Sequence, residues 1–240
     1  MNWSAGKIGT INQRSAQANG LSTPSIGCVL HLPGLPGGGS KIYDRSPYGN
    51  IGTITGATWV RLPSGLWGLD FDGTDDVVDC GNDPNLDITG ALTIEVWIKP
   101  TATGVAQPIV NKGGGVWWGA GHPGYELRVN ANNLEMTIHD SGANTDTLTA
   151  AFTETTKYSQ VVGLFDGDYL RIYIDSVAQT PKDTALTSIG ASGDSLLIAD
   201  SSLAQYFGGK IALVRIYNRA LSALEIQNHF NREKHLFGVW

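Results

Sequence analysis

Charge, cysteine and long apolar runs are all scarce in this chain of 240 residues, and each scarcity excludes something. Asp, Glu, Lys and Arg make up 16% of it and the formal net charge is −6, so the basic footprint of a nucleic-acid binder is missing. No apolar stretch approaches the ~20 residues of a helical membrane span, which argues against membrane insertion. Two cysteines, Cys28 and Cys80, cannot build a disulfide framework. They either pair across two N-terminal strands or stay as buried free thiols, the reading that their isolation favours. No Cys/His spacing suits a zinc site, and no nucleophile-elbow pattern is present. Residues 1–25 lack the basic start and apolar core of a secretory signal, so export by the ordinary route is not expected.

What is present points to an all-β chain. The 31 glycines recur with Asn, Asp, Ser and Thr in short clusters, the punctuation of many short strands joined by tight turns. A hydrophobic content of 41% is enough for a real core. Residues 28–32 read as a first strand, closed by Pro33-Gly34 and the Gly37-Gly38-Gly39 loop. Brief, turn-bounded strands are expected at 51–54, 59–62, 67–71 and 77–80. Residues 92–99 alternate with period two: Leu92, Ile94, Val96 and Ile98 on one face, Thr93, Glu95, Trp97 and Lys99 on the other. Residues 134–139 and 170–174 do the same, the mark of half-buried antiparallel strands. Asp166-Gly167-Asp168 suits a hairpin. Ile211, Leu213, Val214, Ile216 and Tyr217 form a closing buried strand. After Asn218-Arg219, Ser222 and Glu225 have capping-box spacing, and Leu224, Ile226 and Phe230 give the helix that follows an apolar stripe. About a dozen strands and one short C-terminal helix predict an antiparallel two-sheet β-sandwich with jelly-roll-like topology over residues 26–240. Residues 1–25 read as a polar arm in which Trp3, Ile8, Ile11 and Leu21 stand isolated. Such an arm becomes ordered only by lying on its own domain or on a neighbour.

Five segments, in order, resemble the laminin-G-like branch of the concanavalin A-like sandwich family, which also includes pentraxins. They are Y-D-R-S-P-Y-G-N-I-G at 43–52, L-D-F-D-G-T-D-D-V-V at 69–78, L-T-I-E-V-W-I-K-P at 92–100, L-R-I-Y-I-D at 170–175, and F-G-G-K-I-A-L-V-R-I-Y-N-R-A-L-S-A-L-E-I at 207–226. The resemblance runs from about residue 28 to about residue 230 and implies the same sandwich. The chain departs from the family pattern at three places. Ala212 and Leu213 stand where the family has Asp and Glu, Ser176 replaces a Gly, and Tyr158-Ser159-Gln160 replaces Trp-His-His while keeping an aromatic residue. Related folds often hold a structural calcium with acidic groups, and the loss of acids at 212 and 213 weakens that implication here.

Three kinds of site are expected. Calcium takes several hard oxygen ligands, and Asp44, Asn50, Asp72, Asp75 and Asp76 are the candidates; Asx turns are the competing and favoured reading of the same residues. A glycan site combines an aromatic platform with a few polar groups. Trp117, Trp118, His122 and Tyr125 in the glycine-rich stretch 113–125 are candidates for it, or for a subunit contact or self-packing. His139 and Asp140 stand as polar partners. Hydrolases of this fold place carboxylates as Glu-x-Asp-x-(x)-Glu on one strand, where they flank the scissile bond. No such string occurs, and Glu95, Glu126 and Glu135 fall on separate strands. The expectation is therefore a non-catalytic adhesion or assembly module. A phage or virus structural protein fits best, decorating a capsid or associated with a tail or fibre. Its arm would contact copies of itself or capsid and tail subunits, and its surface would meet cell-surface glycans. The alternatives are a stand-alone calcium-assisted lectin and, less favoured, a glycoside hydrolase. No cofactor is required, calcium is allowed, and the location is a virion or an extracellular surface.

Overall fold

Period-two alternation and turn chemistry generate seventeen strands among the described residues of a computed structural model, which are 26–34, 39–113, 122–201 and 203–240. In chain order the first nine are β1 Cys28–Leu32, β2 Lys41–Ile42, β3 Gly52–Thr55, β4 Thr58–Arg61, β5 Trp67–Asp72, β6 Val77–Asp79, β7 Leu92–Pro100, β8 Gln107–Lys112 and β9 Gly124–Asn130. The rest are β10 Asn133–His139, β11 Thr145–Ala151, β12 Ser159–Phe165, β13 Tyr169–Ile174, β14 Val177–Ala178, β15 Lys182–Asp183, β16 Leu196–Ile198 and β17 Gly208–Tyr217. One helix, α1 Ala223–Glu233, and a short 3-10 turn, Lys234–Phe237, follow. A further 3-10 turn spans Pro84–Leu86. The expected arm, with Trp3, Ile8, Ile11 and Leu21, lies outside the described residues.

The strands form two sheets that pair antiparallel throughout. A nine-stranded sheet runs β14-β13-β12-β7-β17-β5-β4, with β1 also on β17 and β15 also on β13. An eight-stranded sheet runs β11-β10-β9-β8-β16-β6-β3-β2. Their inner faces make one core. Leu92, Ile94, Val96 and Ile98 of β7 point into it, as do Leu127 and Val129 of β9 and Leu134, Met136 and Ile138 of β10. Cys28 and Cys80 are both buried free thiols.

The expected half-buried character of β7 is where the fold differs most from its sequence pattern. Its second face, with Thr93, Glu95 and Trp97, is as buried as the first. The reason is α1, which folds back over the outer face of the nine-stranded sheet. Ser222 caps it: Ser222 N donates to Glu225 Oε2 at 2.9 Å and Glu225 N donates to Ser222 Oγ at 3.3 Å. Of the stripe expected, Ile226 is buried and Phe230 packs partly buried against the sheet, but Leu224 is exposed, and the polar His229 and Glu233 are buried in its place. Two apolar clusters flank its footprint. One holds Trp97, Tyr158, Leu236 and Phe237, and the other holds Val162, Tyr217, Leu221 and Ile226. Trp97 stacks on Phe237 at 4.2 Å and on Phe230 at 5.8 Å between ring centroids.

Strand β17 carries a bulge that organises this face. Opposite β7, Ala212 pairs with Trp97 but Arg215 pairs with Glu95, so one extra residue sits between them. Leu213 takes up the excess at φ 52°, a left-handed backbone unusual for a branched side chain. The extra residue inverts the alternation, turning Arg215 outward beside Glu95 while Val214 enters the core. Ala212 and Leu213 both join the apolar cluster under Phe237. An acid at either position would be buried against aromatic rings, which gives a physical reason for their replacement here.

Candidate functional site

Several strands of the eight-stranded sheet reach the same end. The register puts Lys112 of β8 opposite Tyr125 of β9 and Leu196 of β16, and puts His139 of β10 opposite Gly124 and Thr145. Three loops converge there on Gly190. Its N–H donates to His139 O at 2.9 Å. A Cβ at this position would lie 2.3 Å from Pro123 Cβ and 2.7 Å from Ser141 N, so only glycine admits the approach.

The convergence creates a polar rim. His122 Nδ1 lies 3.1 Å from Asp194 Oδ2, and Ser192 Oγ donates to the same oxygen at 2.9 Å. Two of these groups face solvent: the His122 and Asp194 side chains are 35% and 45% exposed, while Ser192 is buried. Partial burial works against the Asp194 carboxylate, but the His122 and Ser192 hydrogen bonds and the Lys112 charge hold its pKa below the usual range. Underneath, Lys112 anchors the loop. Its ammonium is 2.8 Å from Asp87 Oδ1 and donates to Asn82 Oδ1 at 2.7 Å, Ser192 O at 3.0 Å and Asp194 O at 2.6 Å. A buried cation with this many acceptors fixes the loop that presents Asp194. A carboxylate, an imidazole and the Asn82 amide at one exposed edge can exchange hydrogen bonds with vicinal hydroxyl groups.

Below the rim, the outer face of the same sheet carries a cross-strand polar row. Register aligns Asn111, Glu126, Thr137 and Thr147. Glu126 is 1% exposed, and burial lifts its pKa to about 7 against the opposing charge of Arg128. Its Oε1 accepts a long bond from Asn111 Nδ2 at 3.4 Å. Arg128 Nη1 lies 3.4 Å from Oε2, close enough for charge attraction but not aligned to hydrogen-bond it. Arg128 gives its short bond to Glu135 Oε2 at 2.6 Å. Sequence reasoning missed both this row and Lys112. Their signal lies in which strands are neighbours, and only the alternation Y-E-L-R-V at 125–129 hinted that Glu126 and Arg128 share a face.

The sequence candidates divide. His122 and Asp140 lie on the rim. His139 lies just beneath it, 4% exposed, with Nδ1 2.7 Å from Thr145 Oγ1 and a pKa lowered to about 4 by burial and then by Arg128. Asp140 spends its carboxylate on a turn, accepting from Gly142 N, Asn144 N and Asn144 Nδ2, each at 2.8 Å. Tyr125 is a correction. It points into the core and donates its hydroxyl to Leu86 O at 2.9 Å, because the alternation of β9 sends it inward. Trp117 and Trp118 lie outside the described residues.

The calcium candidates also divide. Asp44 accepts from His31 N and Ser46 N at 2.7 Å, Ser46 Oγ at 2.6 Å and Asn50 N at 2.8 Å. Asn50 donates to Val29 O and Asn85 Oδ1. Both residues therefore tie loops to β1. Asp72, Asp75 and Asp76 do gather, with carboxylate oxygens within 4.8 Å of one another. Their donor type suits calcium, yet Asp72 Oδ1 accepts from Thr74 N and Asp76 Oδ2 from Asp72 N, both at 2.8 Å, which is turn chemistry. Glu95 is fully buried against Arg215 under α1.

The family model described as concanavalin A-like lectin/glucanases superfamily matches residues 72–227. No curated protein matches the chain in sequence. Among solved structures it is similar to the ligand-binding domain of botulinum neurotoxin serotype D in complex with N-acetylneuraminic acid, with a TM-score of 0.68 and 14% identity over 85% of this chain and 50% of that one. The binding domain of Paraclostridial mosquitocidal protein 1 has a TM-score of 0.68 and 14% identity over 89% of this chain and 55% of that one. A botulinum neurotoxin type C structure, from a toxin whose cell entry depends on interaction with two ganglioside molecules, has a TM-score of 0.64 and 15% identity over 85% and 51%. At such identities the likeness shows the fold. The chain spans about half the length of each of these structures.

Proposed function

Because the chain belongs to the concanavalin A-like lectin/glucanase superfamily, we propose that it is a non-catalytic glycan-binding module whose ligand meets the rim at Gly190. One observation carries this reading. Three loops close on that glycine and leave a half-exposed His122–Asp194 pair, backed by the Asn82 amide, on a loop that Lys112 holds in place. Sugars offer paired hydroxyls to such donors and acceptors. Trp117 and Trp118 belong to the proposal by sequence position alone, between Gly113 and His122. Binding is favoured over hydrolysis because the carboxylates nominated from the sequence are each paired or buried. Glu135 is paired with Arg128, Glu126 is sheltered, and Glu95 lies under α1. Structural neighbours that bind N-acetylneuraminic acid or gangliosides support a surface role and a cell-surface glycan partner. No helix among the described residues is long and apolar enough to cross a membrane.

The setting is proposed to be a phage or virus particle, with the polar composition of residues 1–25 as its support. Co-sedimentation of the chain with assembled particles tests that setting. A glycan array tests the ligand. The wild-type chain should bind a defined subset of glycans, and His122→Ala should lose them with an unchanged melting temperature. Gly190→Val, which forces the loops apart without removing a polar group, should lose them too. An array on which both variants bind like wild type refutes the rim as the site.

A further inference from the structure

The outer face of the nine-stranded sheet holds a histidine that no hydrogen bond satisfies. His31 of β1 is 1% exposed, and neither ring nitrogen has a hydrogen-bond partner. Charged and titratable groups from three segments lie around it. Arg215 lies opposite on β17, Arg45 adjoins through its N–H to His31 O at 2.8 Å, and His229 approaches from α1. Arg45 Nε and Arg215 Nε are likewise buried without a hydrogen bond. The acids nearby are spent on others. Asp44 accepts the His31 backbone N–H, while Glu95 and Glu233 bracket Arg215, with Glu95 Oε2 at 3.2 Å from Arg215 Nη1. His229 Nδ1 sits 3.0 Å from Glu95 Oε2, and Trp97 Nε1 donates to Glu233 Oε2 at 3.1 Å. Apart from the Trp97–Glu233 bond, the polar contacts named here between α1 and the sheet pass through Arg215 and Glu95, and His31 is the register partner of Arg215.

We propose that this arrangement is an acid-released latch, in which protonation of His31 places a third positive charge against Arg215 and Arg45 and lifts α1 from the sheet. A neutral imidazole fits the packed state because it adds no charge to a cationic wall. An imidazolium there has no carboxylate to pair with and no water to hydrate it. The packed chain therefore resists the proton, through burial first and then through Arg215, Arg45 and His229, whereas an exposed His31 takes it near its ordinary 6.5. The sign follows: the latch is fully closed above that value and loosens as pH falls below it. Opening would uncover the ring of Trp97, now packed against Phe230 of α1 and Phe237 of the C-terminal turn. Glycan binding is not involved, so the latch stands or falls independently of the rim.

Hydrogen exchange of the full chain between pH 7.5 and 4.5, expressed as protection factors so that intrinsic exchange cancels, reads the latch directly. The amides of α1 should lose about tenfold in protection per pH unit below about 6.5, while those of β7, β9 and β10 hold. His31→Leu, similar in size and unable to titrate, should flatten the response. Arg45→Gln, at a partly exposed position, removes one charge that opposes the proton in the packed state, so the loss should start at the same pH but level off sooner and be smaller in total. The proposal is overturned if α1 protection is independent of pH, if it falls equally in His31→Leu, or if it falls only together with the core strands. Should His31→Leu not fold, an Arg45→Gln profile superimposable on wild type overturns it equally.

Discussion

Replacing Glu126 with Gln isolates the energetics of the polar row on the eight-stranded sheet. The glutamine keeps the shape, offers Asn111 the same carbonyl acceptor, and cannot ionise. In the wild-type chain burial raises the Glu126 pKa from 4.5 to about 7. A group whose pKa is higher in the folded state gives stability that is complete below the unfolded value and is lost as pH rises through the folded one. The window is therefore pH 4.5 to 7. At about 1.4 kcal/mol per pH unit, the wild type should lose roughly 3 kcal/mol relative to the variant across it. His31 and His139 titrate in part of the same range with the opposite sign, since burial lowers both. They cancel in the difference between the two proteins. The assay is urea unfolding of both at half-unit intervals from pH 4.5 to 8.5. The difference in unfolding free energy should already drift toward the glutamine at about pH 4.5, favour it progressively up to about pH 7, and level off above about pH 7.5. Parallel stability curves would refute the reasoning, because they would mean that Glu126 ionises alike in the folded and unfolded chains.

Two further outcomes are expected. Ala212→Asp, which restores the acid of the family pattern, buries a carboxylate against Trp97, Leu236 and Phe237, and should cost about 3 kcal/mol in urea unfolding at pH 7 and less at pH 4. Thermal melts with millimolar calcium and with chelator should coincide if Asp72, Asp75 and Asp76 serve only their turn; a rise of several degrees with calcium would instead assign them an ion.

The parts of the fold that were legible are those whose causes are local. The strand at 28–32 and the Ser222–Glu225 cap depend on neighbouring residues alone, and both occur where the pattern puts them. The strands at 92–100, 133–139 and 169–174 likewise match their alternation to within two residues, as the strand at 67–72 matches its turn-bounded run. β12 was legible only as the strand that the Asp166-Gly167-Asp168 hairpin requires; its extent was not, because S-Q-V-V-G-L-F is buried on both faces and so does not alternate. β11, rich in Thr and Ala, has too weak a polarity contrast to stand out. Trp97 looked solvent-facing because its cover, Glu233, comes from a helix far along the chain. The rim was half legible. The glycine-rich stretch marked His122 and the end of an alternating strand marked Asp140, but Asp194 and Lys112 depend on loop convergence that no local pattern encodes. Tyr125 failed as a platform because a glycine-rich approach gave no warning that β9 begins at Gly124 and sends the next residue inward.

The bulge at Leu213 makes β17 two strands of opposite parity spliced end to end. Upstream of it, residues 208–211 run along β5; downstream, residues 214–217 run along β1. Both neighbours share one edge of β17, lying in line rather than side by side, while β7 spans the splice on the other edge. The first strand of the domain and a later hairpin are thereby joined into one continuous border by a single inserted residue. Removing that residue would act on this border as a frameshift acts on a message, exchanging inside for outside for every side chain on one side of the splice.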